Sequence, residues 1–119
     1  MVSALIAAGA FNALGYSTPP ERTIVLTLDR WPVYVPPKYV AEFLDYKVDW
    51  SAHLTNDQIV ACSAAVVSGD LVVSRTIFDE TTMSFWLGAG RSGNGSTLQI
   101  AITTAGGRYI DTSLFIRCL

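Results

Sequence analysis

The chain contains 119 residues; half of them are hydrophobic, 15% are charged, and the formal net charge is −2. This length predicts one domain, and this apolar fraction can build a core without disulfides or a metal. The eight Lys and Arg residues are scattered along the sequence, which excludes the basic stripe that neutralises nucleic-acid phosphates. Because so few residues are charged, we expect partner proteins to cover part of the surface.

Residues 1–16 (MVSALIAAGAFNALGY), here called the arm, are mostly small and apolar. No Lys or Arg precedes the apolar run, as it would in a secretory signal, and Asn12 interrupts it. The run is also shorter than the roughly 20 apolar residues that cross a bilayer. We therefore predict a weakly helical arm that docks on a neighbouring subunit, with Phe11 and Leu14 as candidate contacts and no membrane partner.

A proline-rich segment follows the arm. Residues 18–20 (TPP) break any helix that begins in the arm, and residues 23–28 (TIVLTL) are typical of one short strand. Residues 31–37 (WPVYVPP), here called the strap, hold three prolines, which cannot donate hydrogen bonds within a sheet. We expect the strap to run extended on the surface or against a sheet edge. Its candidate interface residues are Trp31, Tyr34, Pro36 and Pro37.

The rest of the sequence predicts strands. Residues 44–51 (LDYKVDWS) alternate apolar with polar side chains, which indicates one buried and one solvated face. Residues 58–67 (QIVACSAAVV) predict a strand that is largely covered on both faces. Residues 71–73 predict a short strand, and residues 82–87 (TMSFWL) one with Met83, Phe85 and Leu87 on the inner face and Trp86 on the outer face.

Residues 88–95 (GAGRSGNG) contain four glycines, as phosphate-binding loops often do. Such loops require a following helix, whereas residues 96–104 alternate as a strand, so a loop between strands is predicted. Residues 104–108 (TAGGR) predict a hairpin turn. Residues 109–118 predict the last strand, with Ile110, Leu114 and Ile116 directed inward. Short strands at this spacing indicate an all-β sandwich.

No group of residues predicts catalysis, a cofactor or a metal site. His53 is the single histidine, and Cys62 and Cys118 are expected to be buried free thiols. Asp45 and Asp49 lie about 13 Å apart along one strand, too far for paired-carboxylate chemistry. The loops also lack the dense acidic ligands of a calcium site. Trp50 is expected in the core, whereas Trp86 and Arg91 are added to the candidate interface residues.

Several sequence motifs resemble those of the fiber–tail adaptor proteins of tailed bacteriophages. Pro36-Pro37-Lys38, Glu42, Leu44-Asp45-Tyr46, Asp49-Trp50-Ser51 and Leu54 follow the family's PPK…LDY..DWS..L pattern. The similarity continues through residues 57–61 (DQIVA), 86–88 (WLG) and 103–108 (TTAGGR). Two departures stand out. The stretch before Pro36 is longer than expected, and Ala64-Ala65 replaces the family's usual tryptophan.

The resemblance implies an immunoglobulin-like β-sandwich of about seven antiparallel strands at 38–119, preceded by the arm and strap at 1–37. It implies a structural virion protein without enzymatic activity that assembles in the host cytoplasm. In the tail of a short-tailed phage it would join the tail core to the fibers. Its partners would be tail and fiber proteins, a portal-side adaptor or nozzle, and copies of itself in a ring. A capsid decoration protein, a head–tail joining protein and a carbohydrate-binding module remain as alternatives.

Overall fold

The computed structural model describes residues 18–28, 33–35, 37–39 and 42–119. These residues form eight strands and two single-turn 3-10 helices, Pro20–Arg22 and Ser51–His53. In chain order the strands are β1 (Thr23–Val25), β2 (Val33–Tyr34), β3 (Leu44–Asp49), β4 (Ile59–Ser68), β5 (Leu71–Phe78), β6 (Thr82–Ala89), β7 (Gly95–Thr104) and β8 (Tyr109–Arg117).

The strands form two four-stranded sheets with the orders β1-β3-β6-β5 and β2-β8-β7-β4. From β3 onward all the pairings are antiparallel, and the strand order is that of the B, E and D strands and the C, F and G strands of an immunoglobulin domain. The immunoglobulin-like sandwich is therefore confirmed. β1 and β2 differ from the expected pattern because each pairs in parallel with its neighbour. The segment before β3 thus supplies one edge strand to each sheet.

The core lies between the sheets, where the alternating strands place their apolar faces. Tyr46, Val48 and Trp50 from β3 and the residue after it are at most 1% exposed, which confirms the predicted alternation. The ring of Tyr46 stacks on that of Phe85, with 6.0 Å between centroids. The inward residues of the other long strands complete the core, and include Met83, Leu87, Leu98, Ile100, Ile102, Ile110, Leu114 and Ile116.

The prediction that β4 is covered on both faces is wrong. β4 is an edge strand, and after the buried Ile59 at its start only the alternate residues Cys62, Ala64 and Val66 pack against the core. The remaining side chains, including Ser63 and Ala65, are exposed. An uncharged run of this kind is typical of a buried strand, but strand order leaves one edge and one face of β4 uncovered.

Strand lengths also differ from the predictions. β5 continues to Phe78 instead of ending at Val73, because a register shift between Val73 and Arg75 lets it continue to pair with β6. The turn from β4 to β5 uses Gly69, whose φ of +99° places it in the left-handed region. A Cβ atom at Gly69 would lie 2.7 Å from the carbonyl oxygen of Gly95, so a side chain does not fit.

Lys38 is fully buried and closes one end of the sandwich. Its Nζ donates hydrogen bonds to the carbonyl oxygens of Tyr39 and Ala89, both at 2.9 Å. Ala89 has a φ of +60° and Gly90 a φ of +96°, and this turn follows directly after β6. The backbone of Lys38 also forms a parallel bridge with Cys118, just after β8. Through its side chain and its backbone, Lys38 therefore joins the residues just after the strap, the end of β6 and the residue just after β8.

We predict that Lys38→Met lowers the free energy of unfolding by about 2–3 kcal/mol, because the substitution removes a charged donor from two part-buried carbonyl oxygens, those of Tyr39 and Ala89. The measurement is urea unfolding followed by tryptophan fluorescence. Lys47→Met is the matched control, since Lys47 lies half-buried on the outer face of β3, and we expect it to change stability by less than about 0.5 kcal/mol. Equal effects of the two substitutions would contradict the assigned role of Lys38.

Candidate assembly surfaces

Asp45 is a nearly buried carboxylate on the outer face of β3, with 6% of the residue exposed. Arg22 donates from Nη2 to Asp45 Oδ1 at 3.2 Å and from Nε to the Asp45 carbonyl oxygen at 2.8 Å. The Thr18 hydroxyl donates to Asp45 Oδ2 at 2.6 Å. These bonds attach the segment before β1 to the outer face of β3. The polar residue that the alternation assigned to solvent is thus covered by the chain's own N-terminal segment.

Asp57 lies at the opposite end of the sandwich from Lys38. It joins the motif at 57–61 to the motif at 103–108. Its Oδ1 accepts hydrogen bonds from the backbone amides of Gln58 and Gly106, both at 2.9 Å. Arg108 donates to its Oδ2 from Nη2 at 3.1 Å and from Nε at 3.2 Å. Hydrogen bonds from the Thr104 side chain, then from these amides and Arg108, lower the pKa of Asp57 from 3.8 to about 2. The carboxylate fixes the β7–β8 hairpin to the loop before β4.

Trp86 lies half-buried at the centre of the outer face of its sheet, on the face opposite Phe85 as predicted. The guanidinium carbon of Arg75 is 5.1 Å from the Trp86 ring centroid, within range of a cation–π interaction. On the other neighbouring strand, β3, Asp45 lies opposite Trp86. Arg91, in the loop after β6, has an 86% exposed side chain, and its Nε lies 3.9 Å from Asp70 Oδ2.

The strap residues are only partly described. Pro37 is exposed, and Tyr34 lies in β2 opposite Phe115 of β8. An apolar groove of about 660 Å³ runs beside the strap and is lined by Val35, Pro37, Phe115 and Leu119, among others. The candidates Phe11, Leu14, Trp31 and Pro36 lie outside the described residues. The described part of the strap at 33–35 lies at the edge of a sheet, beside β8, as expected for a proline-rich segment.

A further apolar surface was not predicted from the sequence. It consists of the outer edges of β4 and β5, which lie side by side and are here called the open side. Four hydrophobic residues of these strands are between 46% and 61% exposed: Val60, Val67, Val72 and Phe78. In the sequence these valines resemble core residues, and only the strand order shows that they face outward.

The described residues offer little that points to chemistry. His53 Nε2 lies 2.8 Å from the Thr27 carbonyl oxygen, and its ring packs edge-on against Trp50. Cys62 and Cys118 are free thiols; Cys118 is buried and Cys62 partly so. Across these parts of the chain, no three His, Cys, Asp or Glu residues lie close enough to hold a metal ion. A helix with the length and hydropathy to cross a membrane is likewise not found there.

The topology and the core define an immunoglobulin-like β-sandwich protein. A comparison with protein families matches residues 38–117 to the podophage GP4 fiber-tail adaptor protein gp77 family, and the chain belongs to this family of phage structural proteins. A search of curated proteins found no match. Among solved structures, the chain is similar to EhICP2, a cysteine protease inhibitor from Entamoeba histolytica. The identity is 13%, the match covers 80% of this chain and 95% of that one, and the TM-score is 0.40.

We predict that Arg22 and Asp45 are energetically coupled. A double-mutant cycle with Arg22→Met and Asp45→Asn should give a coupling energy of about 1–3 kcal/mol, because the pair is largely shielded from water. Arg91→Met with Asp70→Asn is the control cycle. That pair is more exposed and its N–O distance is longer, so its coupling energy should stay below about 0.5 kcal/mol. The measurement is urea unfolding of all the variants. Equal couplings in the two cycles would refute the prediction.

We also predict a pH-dependent contribution from Asp57. Its pKa is about 2 in the folded protein and 3.8 as a reference, so the unfolded chain binds more protons between these values. The stabilisation is therefore complete above about pH 4 and is lost as the pH falls towards about 2. In Asp57→Asn, the free energy of unfolding should fall less steeply over this window. Asp111→Asn, at an exposed position on β8, is the matched control, and an unchanged slope in Asp57→Asn would contradict the prediction.

Proposed function

We propose that this protein is a non-enzymatic adaptor in the virion of a short-tailed phage, where it joins the portal-proximal tail to the tail fibers. Residues 38–119 form most of the rigid sandwich, β1 and β2 add one edge strand to each sheet, and the arm and strap within 1–37 supply additional contacts. Copies of the chain form a ring, and assembly takes place in the host cytoplasm. The observation that carries this proposal is the family match, which spans most of the sandwich.

The distribution of charge supports a role in protein–protein contact. The two best-formed ion pairs, Arg22–Asp45 and Arg108–Asp57, connect segments of the chain to one another. These pairs stabilise the sandwich itself. The exposed side chains instead include many large apolar residues, for example Val25, Tyr39, Phe43 and Tyr109, each at least 60% exposed. Surfaces of this composition are typical of protein interfaces.

Trp86 bears on the carbohydrate-binding alternative. A sugar-binding tryptophan presents an open ring face to its ligand, whereas Arg75 lies against this ring. Of the exposed aromatic residues, Tyr39 and Phe43 lie four positions apart at one turn before β3, and Tyr109 begins β8. The described surface therefore favours the adaptor over a carbohydrate-binding module.

The deciding experiment is a cryo-EM map of the intact particle that contains this chain. We expect density for the sandwich between the portal-side tube and the roots of the fibers, in several symmetry-related copies. Density on the capsid lattice would replace the adaptor function with decoration, and density at the neck would indicate head–tail joining. Glycan-array binding by the purified chain is a second measurement, and strong binding there without tail density would support the carbohydrate module.

A further inference from the structure

The two sides of the sandwich are protected very differently. On one side, β1 and β2 are short edge strands that pair in parallel with β3 and β8, and Pro37 follows β2 along the chain. Proline and short strands prevent a neighbouring chain from pairing with an edge. The open side has no such protection. β4 is ten residues long, contains neither proline nor a charged residue, and pairs only with β7 among the described strands.

The geometry of β4 leaves a usable length of edge. Register shifts occur between Ile59 and Ala61 and between Val66 and Ser68. The six residues from 61 to 66 between them pair regularly with β7 and span about 20 Å. Val60 and Val67, at the two irregular positions, are 47% and 61% exposed. The backbone of this stretch can therefore hydrogen-bond to an added strand, and an apolar side chain lies at each end.

The arm is the segment of the chain that best matches this edge in composition. Residues 1–16 contain no charged side chain and are rich in alanine, so they bring no charge to an edge that offers no counter-charge. They precede Thr18, which is hydrogen-bonded to Asp45 on the outer face of the other sheet. Because the arm is predicted to be only weakly helical, it can bind in an extended form. Sixteen extended residues reach about 50 Å, which is more than the width of a four-stranded sheet.

We propose that the arm of one copy adds as a strand to the β4 edge of a neighbouring copy, covering residues 61–66 and the exposed valines of the open side. The proposal rests on the proposed function, in which copies form a ring. Because donor and acceptor are different surfaces, each copy can donate to one neighbour and accept from another. Such a head-to-tail contact closes into a ring when the rotation between copies allows it. Main-chain hydrogen bonds supply the attraction, and the small side chains of β4 permit close approach.

Disulfide cross-linking between two differently tagged full-length copies tests the proposal. One copy carries Leu5→Cys in the arm, and the other carries Ala61→Cys, Ser63→Cys or Ala65→Cys, all at exposed positions of β4. Adjacent strands place Cα atoms about 5 Å apart, within disulfide range. The control acceptor is Thr103→Cys, exposed on the central strand β7. The native thiols interfere little, since Cys118 is buried and burial raises the pKa of Cys62 to about 11.

We expect an inter-copy cross-link at one β4 position in at least about fivefold higher yield than at Thr103, because only an edge strand can pair with the arm. Ser63→Lys in the acceptor copy should abolish a link formed at position 61 or 65, whereas Thr103→Lys should leave it intact. Hydrogen exchange provides a second measurement, and the amides of residues 61–66 should be better protected in the full chain than in a chain that starts at residue 17.

Three outcomes would overturn the proposal. They are equal yields at β4 and Thr103, a link found only within one copy that carries both cysteines, and no link at about 1 mM protein, where even weak contacts are populated. The cryo-EM map separates failure of the proposed function from failure of the arm contact. If the cross-link forms but the chain is absent from the tail in the cryo-EM map, the adaptor role fails and the arm contact stands. If the chain lies in the tail without the cross-link, only the arm contact fails.

Discussion

Lys38 joins three parts of the chain that are far apart in sequence, and much of the architecture depends on this contact. Its Nζ reaches the Ala89 carbonyl oxygen, which faces it because Ala89 and Gly90 both adopt positive φ. Its backbone pairs with Cys118, and Cys118 in turn exchanges backbone hydrogen bonds with Gly93 and Asn94 of the glycine-rich loop. The loop that resembles a phosphate cradle in sequence is therefore held by the chain's own C-terminal segment.

Three polar residues, Lys38, Asp57 and Asp45, stabilise the sandwich in addition to its apolar core. Lys38 closes one end, Asp57 fixes the hairpin at the other, and Asp45 attaches the N-terminal segment to the outer face of a sheet. Each is an internal contact that satisfies buried or half-buried polar groups, which is costly to disrupt. These contacts stabilise the chain itself, whereas the surface open to other chains includes exposed apolar side chains and the backbone edge of β4.

The alternation of residues was sufficient to predict the strands that face the core. Residues 44–51 and the inward residues of β6 and β8 were predicted correctly because one face of each strand is buried and the other is not. β4 was misread because alanine, serine and valine are compatible with either a buried strand or an uncharged edge. Only strand order distinguishes these cases, and strand order depends on contacts between residues distant in sequence. The parallel pairing of β1 with β3 and of β2 with β8 also depends on such distant contacts, so the sequence pattern does not show it.

The candidate interface residues were harder to predict. Trp86 was placed on the correct face, but the sequence could not show that Arg75, across the β5–β6 hairpin, lies against its ring. The register shift after Val73 brings the two residues opposite each other, and no local pattern marks it. Asp45 was expected to be solvated because it alternates with core residues, yet Arg22, twenty-three positions earlier, covers it.

The residues that carry the resemblance to the adaptor family are largely structural in this protein. Lys38, Asp45, Tyr46, Trp50 and Leu54 are all at most 6% exposed, and Asp57 and Arg108 bind each other. These motifs therefore specify the sandwich and leave open which neighbours it contacts. The features available for choosing a neighbour lie largely outside them, in the arm, in the part of the strap before Pro36 and in most of the open side. On β4, Ala64 packs against the core and Ala65 is exposed. Because both side chains are small, they leave space for a neighbouring strand to approach this edge.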